Sequence, residues 1–402
     1  MAASPFTFYR GAARIMAHDL SQTPSTGFEV QLCGDAHLSN FGTFASPERD
    51  LLFDLNDFDE TLPGPWEWDV KRLAASFVIA AEDLGFDEDD GRDWAEDSVR
   101  AYRQVIQKFA MKGWLETWYS RFSLDDLAVR AEEEHVKKKH QDHLEKFLTR
   151  AKKKDNLRAA RKLVERDGAD LRFRSDPPFL VPFRNMPAGV VAEQVEKAIH
   201  ESYAAYRRSL GDDVEHLLGR YQVVDLALKV VGVGSVGTRC FVALLVGRAQ
   251  DDILLLQVKE AGRSVLEEHL TPSRYPLSGQ RVVEGQRLMQ ASSDIFLGWS
   301  EGSYSGSHYY WRQLKDWKAS VELEDAGEKG MGRYARMCGW TLARAHAVSG
   351  DPASIASYLG SGSNFDRALG EFAVRYSRQN EMDYEAFVTE IRDGRLEAAE
   401  LE

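Results

Sequence analysis

The chain contains little cysteine, carries no net positive charge and has no long apolar segment. Its 3 cysteines are an odd number and lie far apart, which disfavours a disulfide framework and favours a reducing compartment. The formal net charge is -13, whereas proteins that bind nucleic acid or anionic membranes usually carry a basic surface. No apolar run approaches membrane-spanning length, and residues 1–5 lack the features of a signal peptide. These absences predict a cytoplasmic protein that binds neither nucleic acid nor membranes.

The chain is long enough and apolar enough to fold around one large core or two lobes. It has 402 residues, of which 43% are hydrophobic. Acidic and basic residues mix over residues 132–166, which predicts a solvated helical insertion. No internal repeat is evident, so the functional prediction depends on local motifs.

Two acidic motifs lie close together near the N-terminus. The first, Gly34–Asn40, reads Gly-Asp-Ala-His-Leu-Ser-Asn and places Asp35 and Asn40 on a turn after an apolar strand. The second, Phe53–Glu60, reads Phe-Asp-Leu-Asn-Asp-Phe-Asp-Glu and ends another apolar segment. Carboxylate and amide oxygens that converge in this way suit magnesium and a phosphate chain. The alternative is a polar turn whose side chains cap local backbone groups.

A glycine-rich turn lies between two predicted strands farther along the chain. No helix follows the glycines, and the third predicted strand carries Lys259, as in the phosphate-covering arrangement of protein kinases. Glu284 lies on a helix predicted over residues 280–290 and is expected to orient Lys259. The alternative is a plain β-hairpin with a lysine at a strand edge. The residues expected to cover the phosphates are Gly232, Gly234, Ser235, Val236 and Gly237.

Together these segments resemble the catalytic core of aminoglycoside phosphotransferases and choline-kinase-like enzymes, which have a protein-kinase-like fold. The resemblance rests on Gly-Asp-x-His-x-x-Asn, on the following Asp-Phe-Asp and on the later Asp69. One departure is Cys33, which stands where the family usually has a histidine. The resemblance implies that Asp35 is the catalytic base and that His37 supports the loop and contacts phosphate. It also implies that Asn40 and Asp57 are magnesium ligands and that Asp59 is a ligand for a second metal ion.

The order of the segments departs from that of ordinary kinases. The catalytic motif begins near residue 34, which leaves no room before it for the usual glycine-loop lobe. A segment that resembles the helix preceding the catalytic loop, ending in Leu-Ala-x-x-His at His346, lies near the C-terminus instead. We therefore expect an α+β, two-lobed kinase-like fold that is circularly permuted. The expected parts are residues 1–204 with the catalytic and metal motifs, 205–320 with the glycine loop, and 321–402 with the closing helices.

The whole sequence is also similar to a bacterial family known as domain of unknown function 2252 (DUF2252), almost end to end. The kinase-like resemblance implies an enzyme that uses ATP and Mg²⁺ to phosphorylate a hydroxyl group of a small molecule. Transfer of AMP by the same fold is the closest alternative. A nucleotide-binding pseudokinase scaffold and a metal-dependent phosphoester hydrolase are two further hypotheses, which a turnover assay and mutation of Lys259 would distinguish.

Overall fold

The computed structural model describes residues 1–125, 148–152, 156–168, 170–186, 190–230, 238–302, 306–314 and 323–396, together with Leu127, Lys146 and Trp317. Helices and antiparallel sheets are both abundant within these ranges. The expected α+β class is therefore confirmed.

The N-terminal part frames the two acidic motifs with short sheets. Its elements are α1 (Pro5–Gly11), α2 (Ala13–Ser21), β1 (Glu29–Leu32), β2 (Phe41–Ala45), β3 (Leu51–Leu55), β4 (Leu62–Pro65), α3 (Glu67–Asp83), α4 (Glu88–Ala110) and α5 (Trp114–Tyr119). Strand β1 pairs with β4 and β2 pairs with β3, both antiparallel. Every residue of β2 and β3 is buried, which explains why both read as apolar runs without alternation. The two motifs therefore lie at the ends of neighbouring strands.

The central part is built on a six-stranded antiparallel sheet of order β11-β12-β10-β9-β8-β7. The strands of this sheet are β7 (Leu180–Pro182), β8 (Gln222–Lys229), β9 (Cys240–Val246), β10 (Ile253–Ala261), β11 (Gly298–Glu301) and β12 (His308–Gln313). Around it lie α6 (Asn156–Leu163), a hairpin of β5 (Val164–Asp167) with β6 (Asp170–Phe173), α7 (Val190–Arg207), α8 (Asp212–Leu218) and α9 (Ser278–Met289). Strand β10, which carries Lys259, is flanked by β9 and β12.

The sheet begins earlier in the chain than predicted. Strand β7 already pairs with β8, and α7 packs against β11. The predicted boundary between residues 204 and 205 falls inside α7, because this helix belongs to the sheet and not to the part before it. The sheet-containing part therefore starts near residue 180.

Alternation along β10 sends its side chains to two different cores. Leu254, Leu256 and Val258 pack with Tyr206 and Trp311, on the face that α7 covers. Residue Leu255, on the other face, packs with α6 residues in a separate cluster. Lys259 has the same parity as Leu255 and is buried without belonging to either apolar cluster. Such a buried charge must be paired.

Helices from the C-terminal end complete the N-terminal part. They are α10 (Gly327–Ser349), α11 (Pro352–Leu359) and α12 (Asn364–Arg392). Helix α10 packs closely along α4, and a Cβ at Gly339 would lie 2.1 Å from the Ser98 carbonyl oxygen. Only glycine permits this approach. The large core accordingly combines residues from both ends of the chain.

Two structural observations concern the expectations that the cysteines form no disulfide framework and that no segment spans a membrane. Cys33, Cys240 and Cys338 are all free and buried, in agreement with the absence of a disulfide framework. Among the described helices, none is both long and apolar enough to cross a bilayer.

Candidate functional site

The first acidic motif forms a tight loop directly after β1. Gly34 has a φ angle of +84°, and a Cβ at this position would lie 2.4 Å from the Glu60 carbonyl oxygen. Both observations require glycine here, because a side chain would be strained and would collide with the second motif. The glycine lets the loop pass close to residues 57–60 and places Asp35 beside them.

Asp35 is held by a buried arginine of α3. Arg72 Nε and Nη2 donate to Asp35 Oδ1 at 2.8 and 2.6 Å, and Nη2 also donates to the Tyr9 carbonyl oxygen. The Tyr9 hydroxyl donates in return to the Arg72 carbonyl oxygen at 2.8 Å. Because these bonds engage Oδ1, Asp35 Oδ2 is the oxygen that can accept a proton from a bound hydroxyl group.

The rest of the loop is held by bonds to the backbone of Asp35. The Asn40 side-chain Nδ2 donates to the Asp35 carbonyl oxygen at 2.6 Å, and the His37 N–H donates to the same oxygen at 2.8 Å. His37 Nε2 lies 3.7 Å from Asp35 Oδ2. The His37 ring is buried, and its Nδ1 has no hydrogen-bond partner among the described residues. This histidine therefore has an unused polar atom next to the candidate base.

A buried carboxylate of α3 joins the loop to the C-terminal helices. Asp69 accepts hydrogen bonds from the backbone N–H groups of Cys33 and Gly34, at 2.6 and 3.0 Å. Its Oδ2 also lies 3.3 Å from His346 Nε2 on α10, and the other ring nitrogen of His346 contacts Tyr102. Helix α10, which carries His346, therefore lies behind the loop, although more than three hundred residues separate them in sequence.

The second acidic motif meets the six-stranded sheet at Lys259. The Lys259 ammonium group binds Asp59 Oδ2 and lies 3.8 Å from Asp57 Oδ2. The Tyr310 hydroxyl of β12 donates to Asp59 Oδ1 at 2.7 Å, so both oxygens of Asp59 are engaged. Lys259 and Asp59 are 200 residues apart in sequence. The structure therefore brings Lys259 into contact with the second acidic motif.

Burial and neighbouring charges set the ionisation of this cluster. Burial alone would lower the pKa of Lys259, but the neighbouring Asp57, Tyr310 and Asp59 together outweigh it and keep that pKa well above its ordinary value. Burial raises the pKa of Asp59, and the neighbouring Asp57 raises it further. For Asp57 the effect of burial is outweighed by Lys259 and Arg312, so its pKa is lowered. At neutral pH the cluster thus contains a charged lysine and an ionised Asp57.

The environment of Asp35 has a different electrostatic character. Burial raises the pKa of Asp35 above its ordinary value, while the adjacent Arg72 acts in the opposite direction. Burial and the charges of Arg72 and Arg10 hold the pKa of His37 well below its usual range. His37 is therefore neutral at pH 7 and can donate or accept a hydrogen bond through its unpaired nitrogen.

The structure does not pair Glu284 with Lys259, which corrects the sequence expectation. Glu284 lies 3.5 Å from Arg287 on the same helix, and Lys259 is neutralised by Asp57 and Asp59 instead. The α9 face that contacts the second motif carries Arg281, which donates to the carbonyl oxygens of Asp59 and Thr61. The helical spacing of the sequence placed Glu284 on α9, but it did not show which face of α9 is buried.

The predicted phosphate-covering turn lies outside the described residues. This applies to Gly232, Gly234, Ser235, Val236 and Gly237. The flanking strands β8 and β9 are described and pair antiparallel. The two strands are therefore consistent with a hairpin, and the contribution of the turn to phosphate binding stays a prediction.

A family model described as an uncharacterised protein conserved in bacteria matches residues 1–390. The chain belongs to the DUF2252 family. The match covers both acidic motifs, the sheet with Lys259 and helix α10 with His346. No curated protein and no solved structure matches the chain.

The residues of this DUF2252 chain fit a magnesium ion in part. The Asn40 amide bonds the loop through Nδ2, so its Oδ1 is the atom suited to a hard cation, as is the partly exposed Asp57 carboxylate. Asp59 fits less well, because Lys259 and Tyr310 engage both of its oxygens. Within the described ranges, no group of three or more His, Cys, Asp or Glu side chains is arranged to hold a metal ion.

Several residues of the DUF2252 site were missed by sequence reasoning. Arg72 could have been found, because it lies three residues after Asp69 and therefore near the helix face that Asp69 turns to the loop. Tyr310 and Arg281 gave no comparable signal, since neither belongs to a motif that indicates this chemistry. Their contacts to Asp59 arise only when the sheet and α9 dock on the second motif.

A cleft of ≈ 390 Å³ adjoins the cluster through two of its lining residues, Asn56 and Arg312. Arg312 donates to the Asn56 carbonyl oxygen at 3.3 Å, and Asn56 directly precedes Asp57. Gln286, near the C-terminal end of α9, and Gln290, which directly follows this helix, also line the cleft. Its volume is within the range of small-molecule sites in proteins.

Proposed function

We propose that this protein is an ATP- and Mg²⁺-dependent phosphotransferase, with a kinase-like arrangement that is circularly permuted, and that it phosphorylates a hydroxyl group of a small molecule. The observation that carries the proposal is the meeting of Lys259 with Asp57 and Asp59. A sheet lysine and an Asp-rich segment that ends a short strand lie in one centre, although 200 residues separate Lys259 from Asp59. Phosphoryl transfer requires this combination of a lysine for phosphate and carboxylates for metal.

The two sides of the centre suit the two roles that phosphoryl transfer demands. On one side Asp35 keeps Oδ2 available to orient and deprotonate an acceptor hydroxyl, while Arg72 fixes the carboxylate through Oδ1. On the other side Lys259 would bind phosphate oxygens, and Asn40 and Asp57 would hold Mg²⁺. When bound, Mg²⁺ supplies neutralisation of the phosphate charges. No nucleophilic serine or cysteine is required by this reaction.

The permuted order is supported by the contacts of α10. In an ordinary kinase, the equivalent helix comes just before the catalytic loop in sequence. In the proposed arrangement α10 occupies that helix's place behind the loop, although it follows the loop in sequence. Its His346 lies against Asp69, which in turn accepts from the loop backbone at Cys33 and Gly34. In this permuted arrangement, the N-terminus and C-terminus of an ordinary kinase would correspond to internal positions of this chain.

A small acceptor is favoured by the segment that follows the second motif. Residues 62–65 form β4, which pairs with β1, and α3 begins at Glu67. Only a few residues therefore separate Asp59 from regular structure, and no long loop is present there to bind a protein substrate. A hydroxylated small molecule remains the acceptor that we propose.

Nucleotide binding is the first test of the proposal. ATP with Mg²⁺ should raise the free energy of unfolding by roughly 2.7 kcal/mol at a hundredfold excess over the dissociation constant. The Asp57→Ala variant should lose the Mg²⁺-dependent part of this stabilisation. Thermal unfolding with ATP, with and without Mg²⁺, measures both effects. Equal responses of wild type and variant would show that the metal site is wrongly assigned.

The reaction itself is tested with labelled ATP and a panel of sugars, amino alcohols, aminoglycosides and proteins. Label from the γ-phosphate on a small molecule is the expected result. Products that carry AMP would instead favour nucleotide transfer, and label found only on protein would contradict the small acceptor. Nucleotide binding without any turnover would favour a pseudokinase.

A further inference from the structure

The cleft of ≈ 390 Å³ has no role in the proposed reaction. None of the three residues that form the lysine–aspartate cluster lines it, and the cleft adjoins that cluster through Asn56 and Arg312. It extends along β10 as far as Ile253. Because Arg312 pairs in register with Gln257, Ile253 lies about 13 Å farther along the strand. The cleft is therefore a space beside the proposed nucleotide and metal site.

Much of the cleft wall is apolar and comes from parts of the chain that are far apart in sequence. Phe44 belongs to β2, Leu217 to α8 and Leu254 to β10, while Phe296 precedes β11. Leu217 and Ile295 remain exposed at the wall. Apolar surface that the surrounding elements leave uncovered in a concave space is typical of small-molecule sites.

Arg312 gives the cleft a cation with one open donor. Its Nε donates to Gln257 Oε1 at 2.9 Å, and its Nη1 donates to the Asn56 carbonyl oxygen at 3.3 Å. Its Nη2 makes no hydrogen bond to a described residue and keeps solvent-accessible surface. Arg312 also forms no ion pair with any described carboxylate, including that of Asp57. Two bonds therefore fix the guanidinium group, and its third nitrogen stays open.

Asn56 supplies a second open polar group next to Arg312. Both of its backbone groups are bonded, but its side-chain amide makes no hydrogen bond to a described residue and keeps solvent-accessible surface. The neighbouring glutamines are fixed instead. Gln286 Nε2 donates to Gln290 Oε1 at 2.9 Å, and Gln290 Nε2 donates to the Leu55 carbonyl oxygen at 2.6 Å. A guanidinium nitrogen and an amide thus remain available on a fixed polar surface.

The charge of the lining is positive, although the chain has a formal net charge of -13. Arg49 and Arg312 both line the cleft, and Asp294 is the one carboxylate among its lining residues. The two oxygens of Asp294 accept from the backbone N–H groups of Phe296 and Gln313, at 2.9 and 2.5 Å. A concave surface with more cations than anions attracts an anionic ligand.

We infer that this cleft is a second ligand site, which binds a small organic acid with an apolar body. Arg312 Nη2 and the Asn56 amide would hold the anionic group, and the body would pack against Phe44 and Phe296. A guanidinium group is well suited to such an anion, because its hydrogen bonds to carboxylates are charge-assisted. The inference does not depend on the proposed phosphotransferase function, although Asn56 would place the ligand directly beside Asp57.

Two fluorescent probes test this site in the full chain. The first, 1-anilinonaphthalene-8-sulfonate, combines an apolar body with an anionic group, and the second, N-phenyl-1-naphthylamine, is the same body without the sulfonate. Arg312→Met should weaken binding of the sulfonate probe by roughly tenfold or more, because a charge-assisted hydrogen bond is lost. The affinity for the neutral probe should stay near that of wild type. Fluorescence titration at pH 7 measures both affinities.

A second variant and two controls locate the bound probe. Ile295→Trp places a larger side chain at a wall position that is 39% exposed, so it should narrow the cleft and weaken binding of both probes. Arg100→Met removes an arginine of α4 that pairs with Asp97, and Trp114→Ser removes an exposed aromatic side chain of α5. Both controls should bind the two probes as wild type does.

Three outcomes would overturn the inference. They are a wild-type protein that binds neither probe, equal affinity of wild type and Arg312→Met for the sulfonate probe, and a loss of binding in Trp114→Ser instead. If Arg312→Met does not fold, Ile295→Trp decides. Weaker binding of both probes to Ile295→Trp would then support the site, and unchanged binding of both would overturn it.

ATP with Mg²⁺ shows whether the cleft is separate from the nucleotide site. For two separate sites, the affinity for the sulfonate probe reaches a constant value as ATP saturates the protein. An affinity that keeps falling as ATP increases would mean direct competition, and it would overturn the inference by making the cleft part of the nucleotide site. Probe binding that depends on Arg312 in a protein that binds no nucleotide would support this inference and contradict the proposed function.

Discussion

Asp35 and Asp59 lie in neighbouring loops, but the chain secures them in opposite ways. The partner of Asp35, Arg72, is 37 residues away, and both belong to the N-terminal part. The partners of Asp59, Lys259 and Tyr310, are 200 and 251 residues away and belong to the six-stranded sheet. One side of the centre is therefore built locally, and the other exists only where the sheet docks.

This difference separates the two proposed roles. The local side can fix the geometry of a base whatever the sheet does, because Arg72 and Asp69 both lie on α3. The distant side depends on the relative position of the sheet, and it contains the residues proposed for nucleotide and metal. A change on either side should therefore affect one role and spare the other.

The largest expected effect comes from a substitution on the local side of the centre, at Asp35. Asp35→Asn should lower turnover by roughly a hundredfold or more, because positioned proton acceptance contributes about that much and an amide cannot supply it. Affinity for ATP with Mg²⁺ should stay near that of wild type. Because burial raises the pKa of Asp35, wild-type turnover should increase with pH through a range above that of an ordinary aspartate. Steady-state kinetics across pH and calorimetry measure these effects.

A matched control separates chemistry from stability. Asp366 is buried and is held by Arg103 Nε and Nη2, much as Asp35 is held by Arg72. Asp366→Asn should weaken a comparable ion pair without lowering turnover in the remaining folded protein. An equal loss of turnover in both variants would mean that Asp35 acts through folding and not as a base.

The contrast also explains which parts of the site could be predicted from sequence. Asp35, Asn40 and Asp57 lie in short motifs whose spacing indicates chemistry, and the structure brings them into one region. Lys259 was selected from its strand context, and the structure brings it against the second motif. The fold class was predictable because strand and helix periodicity are local properties of the sequence.

The remaining contacts could not be predicted because they depend on docking. The face that α9 buries is decided by the fit of Gly285 and Arg281 against Thr61, so the expected Glu284 pair was wrong. The first strand of the sheet, β7, has only three residues, which is too few for a periodic pattern in the sequence to indicate it.

The second largest effect comes from a substitution on the distant side of the centre, at Lys259. Lys259→Met should raise the dissociation constant for ATP with Mg²⁺ by roughly tenfold or more, because a charge-assisted contact to phosphate is lost. It should also lower the free energy of unfolding at pH 7, since Asp57 and Asp59 then lose their counter-charge. Calorimetry and urea unfolding measure the two changes.

The control for this variant is Lys112→Met, which removes a lysine that pairs with Glu116 on the surface. It should change neither ATP affinity nor stability by much. A metal-dependent hydrolase would not require Lys259 for its chemistry. Undiminished ATP affinity in Lys259→Met would therefore contradict the proposed nucleotide site and favour that alternative.

The smallest effect sharpens the comparison at Asp54, which belongs to the second motif but is held by the backbone N–H of Ala291, 237 residues away. Burial raises the pKa of Asp54 to about 6 in the folded protein. The folded state therefore binds more protons than the unfolded state between about pH 4 and 6, and this contribution to stability is lost as pH rises through that window. Asp54→Asn should remove a pH-dependent change in the free energy of unfolding of at most about 3 kcal/mol, which is what a shift of about two pKa units corresponds to.

Urea unfolding of wild type and Asp54→Asn at several values between pH 4 and 7 isolates this contribution, because other titrating carboxylates affect both proteins alike. The stability of the variant relative to wild type should increase with pH. Asp89→Asn, which changes an exposed carboxylate, should show no such trend. If the segment of Ala291 did not stay docked on β3, water would reach Asp54 and its pKa would return to the ordinary range. Parallel pH dependence in wild type and Asp54→Asn would therefore mean that the distant side of the centre is open in solution.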